Sequence, residues 1–204
     1  MAFFFMIHFF LLIALSFFSP VQDNEVQKIY DNAGLKGKLD FEIFEKAYKG
    51  ISSFQPAVTG KLVIFDASQL STQKRFFVID IENQKLLFHC LCAHGKGTGE
   101  NKAVTFSNQP GSLATAQGFY LTGSTYNGKH GYSLKLKGLE KGVNDNAESR
   151  AFVIHGADYV SEDFIKLHGR IGRSWGRPAL PSELSKEIID EIKGGTLLYI
   201  YSGK

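Results

Sequence analysis

The spacing of apolar residues divides the chain into a helical part followed by a β-rich part. Between residues 24 and 54, apolar side chains recur every three or four positions, the spacing of one helix face. Residues 34–38 interrupt this pattern with two glycines, and Asp40 is placed to cap a second helix. About thirty residues cannot bury an independent core, so we predict two helices that pack on the rest of the chain.

After Gln55-Pro56, apolar and polar residues alternate over short segments, as in half-buried β-strands. Residues 81–85 have the composition of a hairpin turn, and later helices are predicted at 161–167 and 182–192. The predicted strands are 62–66, 75–81, 85–93, 118–122, 133–137, 151–155 and 196–201. The pattern therefore predicts a mainly β fold, a compact sandwich or barrel with peripheral helices.

The first 22 residues contain no Lys, Arg, Asp or Glu, and residues 3–18 are apolar apart from His8 and Ser16. This run is shorter than the roughly 20 residues of a spanning helix, and a small-x-small site at 14–16 suits cleavage of a secretory signal. No basic residue precedes the run, so an uncleaved anchor and a soluble segment stay open as alternatives.

Three segments follow from these patterns. Residues 1–22 form a signal peptide or N-terminal anchor, 23–55 a helical N-terminal element, and 56–204 the main domain. We expect an exported protein of the periplasm or cell envelope. Membrane association is expected only through an uncleaved N-terminal segment.

Composition narrows the class of protein. A chain of 204 residues with 44% apolar and 21% charged residues has the make-up of one folded domain, and 21 glycines suit the many turns of a β-rich fold. The net charge of +3 comes without a cluster of Lys and Arg, so no nucleic-acid partner is expected.

The two cysteines, Cys90 and Cys92, lie on one predicted strand. Residues i and i+2 of a strand have Cα atoms about 6.5–7 Å apart, at the limit for a disulfide, so we predict buried free thiols. A disulfide and a metal site with His89 or His94 are the alternatives, but a metal would need further ligands. We expect neither metal nor cofactor.

The segments 152–159 and 172–179 carry the candidate chemistry. An apolar strand delivers His155 at its end, and a later turn places Ser174 and Gly176 around Trp175 before a proline. Small residues let a backbone turn tightly and aim its N–H groups at a substrate oxygen, as acyl transfer requires. His155 then suits a general base, although a strand-end histidine can also be purely structural.

These segments closely resemble the L,D-transpeptidase catalytic domain that remodels bacterial peptidoglycan. Its motif is a histidine followed downstream by Ser/Thr-His-Gly-Cys, and His155, Ser174 and Gly176 match it. In one branch, the murein L,D-transpeptidases, the second part reads Gly-Arg-Ser-Trp-Gly-Cys-Pro-Ala. Arg177 therefore occupies the position of the nucleophilic cysteine. The resemblance covers roughly 61–201 and includes 93–97, 106–108, 118–122, 128–131 and 144–147.

The resemblance implies a reaction that Arg177 cannot perform. In the family a cysteine thiolate attacks the carbonyl before the terminal D-alanine of a stem tetrapeptide, and the acyl group then passes to an amine. A guanidinium stays protonated, with a pKa above about 12, and has no lone pair for this attack. Ser174 could replace the thiol only with its own aligned base.

The resemblance also implies a substrate-binding surface. It places Gly156, Tyr159, Trp175 and His130 beside the stem peptide. Two of these residues have simpler interpretations, because Trp175 could be a core indole and His130 an exposed loop residue.

Three hypotheses follow for the chain as a whole. It is a murein L,D-transpeptidase-family protein of peptidoglycan remodelling whose catalysis is lost or impaired. Alternatively, it is a peptidoglycan-binding pseudoenzyme in which Arg177 pairs with a stem-peptide carboxylate. In the third, Arg177 is an isolated loss-of-function change or a sequence error.

Overall fold

The computed structural model describes residues 20–203. Most of the predicted signal or anchor segment, 1–22, lies outside these residues. Within 20–203, no helix has both the length and the apolar character needed to cross a bilayer. The elements in order are α1 (Pro20–Asn32), α2 (Phe41–Phe54), β1 (Val58–Asp66), β2 (Phe76–Asp80), β3 (Lys85–Cys90), β4 (Gly118–Gly128), β5 (Gly131–Gly138), β6 (Val153–Ala157), α3 (Glu162–His168), β7 (Ala179–Pro181), α4 (Ser182–Ile192) and β8 (Thr196–Tyr201).

The strands form one eight-stranded, nearly closed sheet in the order β3-β2-β1-β8-β4-β5-β6-β7. The pairs β1–β8 and β6–β7 are parallel and the other neighbours antiparallel. The predicted mainly β fold with peripheral helices is confirmed. Asp40 caps α2 as predicted, because its side chain accepts the Glu42 N–H at 2.9 Å.

Two local differences from the predicted strands have physical causes. Strand β6 begins at Val153 rather than at residue 151, because Ala151 has a φ of +48°, which no strand residue adopts. Strand β7 was missed, because three residues ending in a proline show no recognisable period.

Helices α1 and α2 pack on one face of the sheet. Phe44 and Ala47 of α2 share a buried cluster with Leu62 of β1, Phe77 of β2 and Tyr199 of β8. The two N-terminal helices therefore have a common core with the strands. The division of the chain at residues 22 and 55 stays a prediction.

Helix α4 packs on the opposite face, where its isoleucines join a second cluster that includes Leu136 and Ile154. Side chains alternate along a strand, so His155 points away from the α4 face. On β5, His155 is paired with Ser133, and Lys135 lies two residues further along the same face. This is the face that α1 and α2 cover elsewhere. The sheet thus leaves the β5–β6 part of this face for a functional site.

Gly50 provides a test of how closely α2 docks. A Cβ added to Gly50 would lie 2.4 Å from Cε1 of Phe119 on β4. We expect Gly50→Ala to lower the free energy of unfolding by about 1–3 kcal/mol, because the ring must move, even though alanine is the better helix former.

Urea denaturation measures this effect, with Ser52→Ala at an exposed position of the same helix as the matched control. The control should change stability by less than about 0.5 kcal/mol. Equal stability of the two variants would show that α2 does not rest on Phe119.

Candidate functional site

The site rests on two chain segments that pair along their backbones. Residues 93–96, which follow β3, and residues 174–179 are joined by hydrogen bonds of 2.8–3.1 Å. The two backbones touch, because a Cβ added to Gly95 would lie 2.4 Å from the Cα of Gly176. Gly95 therefore leaves no room for a side chain at this contact. The Gly-rich turn is therefore held against the core by a second loop.

A buried arginine holds that second loop. Arg75 is fully buried and donates from Nη2 to Nδ1 of His94 at 2.8 Å, and from Nε and Nη2 to the carbonyl of Cys92. Since a guanidinium only donates, Nδ1 of His94 is the acceptor, and its Nε2–H donates to the carbonyl of Gly99 at 3.2 Å. Burial and the adjacent Arg75 charge lower the pKa of His94 to about 4, so this histidine is neutral.

Ser174 fixes the shape of the turn. Its Oγ accepts the N–H of Gly176 at 3.2 Å and donates to the carbonyl of Arg177. Gly176 has a φ of +106°, in the left-handed region that favours glycine. The hydroxyl is thus engaged with the backbone of the next residues, and Ser174 is not poised as a nucleophile.

His155 lies at the β6 end of the site and is almost fully buried. Its Nδ1 lies 2.9 Å from the carbonyl of Gly156, so Nδ1 carries the proton and Nε2 keeps its lone pair. Burial lowers the pKa of His155, with smaller contributions from His130 and Arg177 in the same direction, against the Gly156 hydrogen bond. The imidazole is therefore neutral near pH 7, the form that a general base needs.

A cavity of about 420 Å³ opens in front of His155. The structure brings six of the predicted site residues to its wall, together with Lys129 and Arg173: His130, His155, Tyr159, Ser174, Trp175 and Arg177. The remaining two predicted residues lie beside it. Gly176 is a buried residue of the turn itself. Gly156 packs against α4, where an added Cβ would lie 2.4 Å from Oγ of Ser185.

The cavity has an excess of positive charge. Lys129, Arg173 and Arg177 line it, and no carboxylate of residues 20–203 does. The partner of Arg173 is Glu100, which is itself shared with Arg170. Such a surface favours an anionic ligand.

Trp175 forms part of the cavity wall rather than the core. It is 69% exposed, and Nζ of Lys96 lies 5.1 Å from its ring centroid. The alternative of a core indole is therefore wrong. A large aromatic surface exposed beside a cationic cavity suits contact with a ligand.

Arg177 occupies the end of the turn with most of its hydrogen-bonding capacity unused. Its Nε donates to the carbonyl of Ala151 at 2.7 Å. Within residues 20–203, Nη1 and Nη2 of Arg177 have no hydrogen bond and no ion pair. The guanidinium is thus anchored at one nitrogen and free to bind at the others.

The cysteines lie away from the cavity wall. Cys90 and Cys92 are buried free thiols, as predicted. Burial raises the pKa of Cys90 to about 12 and that of Cys92 well above the ordinary value, so both stay protonated. Neither can supply a thiolate at His155. Residues 20–203 also contain no cluster of three or more His, Cys, Asp or Glu that could hold a metal ion.

Sequence reasoning missed the charged residues that support and surround the turn. Arg75 had a visible signal, because it opens an otherwise apolar strand segment. Lys129 and Arg173 lie within the motif segments 128–131 and 172–179, but no role was predicted for them. His94 was considered only as a weak metal ligand, and its hydrogen bonds to Arg75 and Gly99 depend on tertiary contacts.

Comparison with known proteins gives one family. The sequence profile of the L,D-transpeptidase catalytic domain matches residues 35–201, which include α2 and all eight strands. A search among curated proteins finds no match.

Two of the solved structures that match this chain illustrate the extent of the similarity. An L,D-transpeptidase from Xylanimonas cellulosilytica has 18% identity and a TM-score of 0.39, over 70% of this chain and 60% of that chain. A mutant of the helical cell shape determining protein Pgp2 from Campylobacter jejuni has 16% identity and a TM-score of 0.46, over 73% and 50%. The chain thus matches less than two thirds of each solved protein.

The charge of Arg177 should be visible in the titration of His155. We expect the pKa of His155 to lie below its ordinary value in the wild type and to rise in Arg177→Ala, because the guanidinium disfavours the imidazolium. NMR titration of the imidazole carbon-bound protons measures both values.

The matched control is Arg170→Ala, which removes a guanidinium that does not line the cavity. It should leave the His155 curve unchanged. Identical curves in the wild type and Arg177→Ala would show that the two side chains are not coupled.

Proposed function

Since the chain belongs to the L,D-transpeptidase catalytic-domain family, we propose that it acts on peptidoglycan and that its acyl transfer is lost or severely impaired. One observation carries this proposal. His155 keeps the tautomer and charge of a general base, whereas the residue at the nucleophile position is a guanidinium tied to the Ala151 carbonyl. The cleft keeps its base and lacks the atom that would accept the acyl group.

Acyl transfer requires a nucleophile that can give its proton to His155. In acyl transfer, the thiolate forms a thioester with the stem peptide, the terminal D-alanine leaves, and an amine then takes the acyl group. Arg177 stays protonated and cannot begin this sequence. The Ser174 hydroxyl serves the turn, and the thiols lie outside the cavity wall. Within residues 20–203, no side chain of this cavity replaces the cysteine.

The cell envelope is the location that goes with this proposal. Peptidoglycan lies outside the inner membrane, and the apolar segment 1–22 suits export or anchoring. We propose that residues 56–204 form the domain that meets the wall, with the helices of 23–55 packed against it.

A second candidate function is a peptidoglycan-binding pseudoenzyme. The observation that favours it is the lining of the cavity, to which the described part of the chain contributes Lys129, Arg173 and Arg177 but no carboxylate. Stem peptides end in a carboxylate, and a planar guanidinium can hold one through two parallel hydrogen bonds. In this role Arg177 takes part in recognition.

The loss of chemistry can be tested by restoring the thiol. We expect the purified protein to form no cross-linked dimers from tetrapeptide-containing muropeptides and no acyl adduct with a carbapenem, as measured by mass spectrometry. Arg177→Cys should gain the adduct, because His155 is already present as a neutral acceptor for the thiol proton.

Two controls accompany this experiment. Arg177→Ala empties the position without adding a thiol and should form no adduct. The double variant Arg177→Cys with His155→Ala should lose most of the gain. Robust cross-linking by the wild-type protein would contradict the proposal.

The binding role is tested with isolated sacculi. We expect the wild-type protein to sediment with them, and Arg177→Ala to bind roughly tenfold or more weakly, the usual cost of losing a charged hydrogen bond. Lys28→Ala, which removes an exposed positive charge on α1, should bind like the wild type. No sedimentation, or equal sedimentation of Arg177→Ala, would exclude this role.

A further inference from the structure

A second cavity opens on the other side of Trp175 and Arg177. Its volume is about 270 Å³, and it shares these two residues with the cavity that contains His155. Pro110, Leu113 and Phe152 give it apolar walls, and Arg150 adds a second guanidinium. Arg177 and Trp175 therefore line both cavities and form the ridge that they share.

Arg150 is held in place by backbone carbonyls. Its Nη1 donates to the carbonyl of Ser107 at 2.7 Å, and its Nη2 donates to the carbonyl of Ala114. The guanidinium carbon lies 5.6 Å from the ring centroid of Phe152. These contacts orient a positive charge, and none of them neutralises it.

Arg150 lies beside the turn that carries Arg177, and both arginines line the same cavity. A Cβ added to Gly176, the residue before Arg177, would lie 3.4 Å from Nη2 of Arg150. Burial lowers the pKa of Arg150, and the charge of Arg177 contributes in the same direction. Two cations that line one cavity repel each other, and a bound anion offsets that repulsion.

No acidic side chain of residues 20–203 serves as the anion between the two arginines. Within residues 20–203, neither Arg150 nor Arg177 has an ion pair, and no Asp or Glu lines the second cavity. Nη1 and Nη2 of Arg177 have no hydrogen bond to these residues. The site thus combines two fixed guanidinium groups, unused donors and an exposed indole.

We propose that Arg150 and Arg177 together bind the carboxylate of a ligand with a small apolar body, which lies against Trp175 and Leu113. A free peptide C-terminus with a short side chain has this chemistry, because its planar carboxylate can accept from both arginines. A cavity of this size admits a residue of that kind. The arginine at the nucleophile position is then the second half of a carboxylate site.

The peptide identity rests on the proposed peptidoglycan function, whereas carboxylate recognition needs only the two arginines. Trp175 is the only tryptophan of the chain, so its fluorescence reports directly on this ridge. We would titrate the full-length protein with N-acetyl-D-alanine, its neutral amide, acetate and inorganic phosphate.

We expect a saturable change in emission with N-acetyl-D-alanine and a response at least tenfold weaker with the amide, acetate and phosphate. Arg150→Lys and Arg177→Lys keep the charge but lose the planar fork, and each should weaken the binding of N-acetyl-D-alanine roughly tenfold. Circular dichroism confirms that these variants are folded.

Several results would overturn the inference. If the amide binds as tightly as N-acetyl-D-alanine, the site does not recognise a carboxylate. If acetate or phosphate binds as tightly, the site does not recognise a peptide C-terminus. Wild-type affinity in both lysine variants would show that Arg150 and Arg177 do not bind the ligand. A loss of binding in Lys129→Ala but not in Arg150→Lys would place the ligand in front of His155. Binding of N-acetyl-D-alanine without sedimentation on sacculi would leave the carboxylate site standing and exclude the peptidoglycan-binding function.

Discussion

The buried hydrogen bonds of Arg75 organise the part of the molecule on which the candidate site is built. Its guanidinium binds the carbonyl of Cys92 and the ring of His94, and that ring binds the carbonyl of Gly99. These hydrogen bonds fix the loop after β3 at Cys92, His94 and Gly99. This loop pairs with the Gly-rich turn, so the position of the turn depends on a charge buried some distance from it. A buried cation is costly to leave without partners, which makes this arrangement sensitive to any change that removes one.

The turn keeps its shape without help from the side chain at position 177. Ser174 binds backbone atoms of the next residues, Gly176 supplies the left-handed conformation, and Gly95 allows the close approach of the second loop. All of these interactions involve the backbone of residue 177 or its neighbours. The side chain at position 177 can therefore differ in chemistry while the local fold persists. The same independence explains why a thiol restored at this position is expected to meet a base that is already in place.

Catalysis and binding place different demands on the residue at this position. Acyl transfer needs a group that can lose a proton near pH 7, and a guanidinium cannot. Recognition of a carboxylate needs fixed donors and a low cost of ordering them, and two arginines anchored on backbone carbonyls supply both. The neutral state of His155 fits this environment, since burial and the neighbouring positive charge both disfavour its protonation. The excess of positive charge around the cleft thus favours an anionic ligand whether or not chemistry follows.

The order of apolar and polar residues by itself determined the two N-terminal helices, most of the strands and the mainly β fold, because these depend on local periods. The motif around His155 and Ser174 also predicted residues that the structure brings to the wall of one cavity. The tertiary structure decided what no local pattern contains. It placed Arg75 under His94, Gly156 against α4, and Trp175 at the surface. It also brought Arg150 and Arg177 to the wall of one cavity, although the two lie 27 positions apart in the sequence. Such neighbours are set by the way the sheet and its loops pack on one another. The local spacing of residues along the chain contains no information about these long-range contacts.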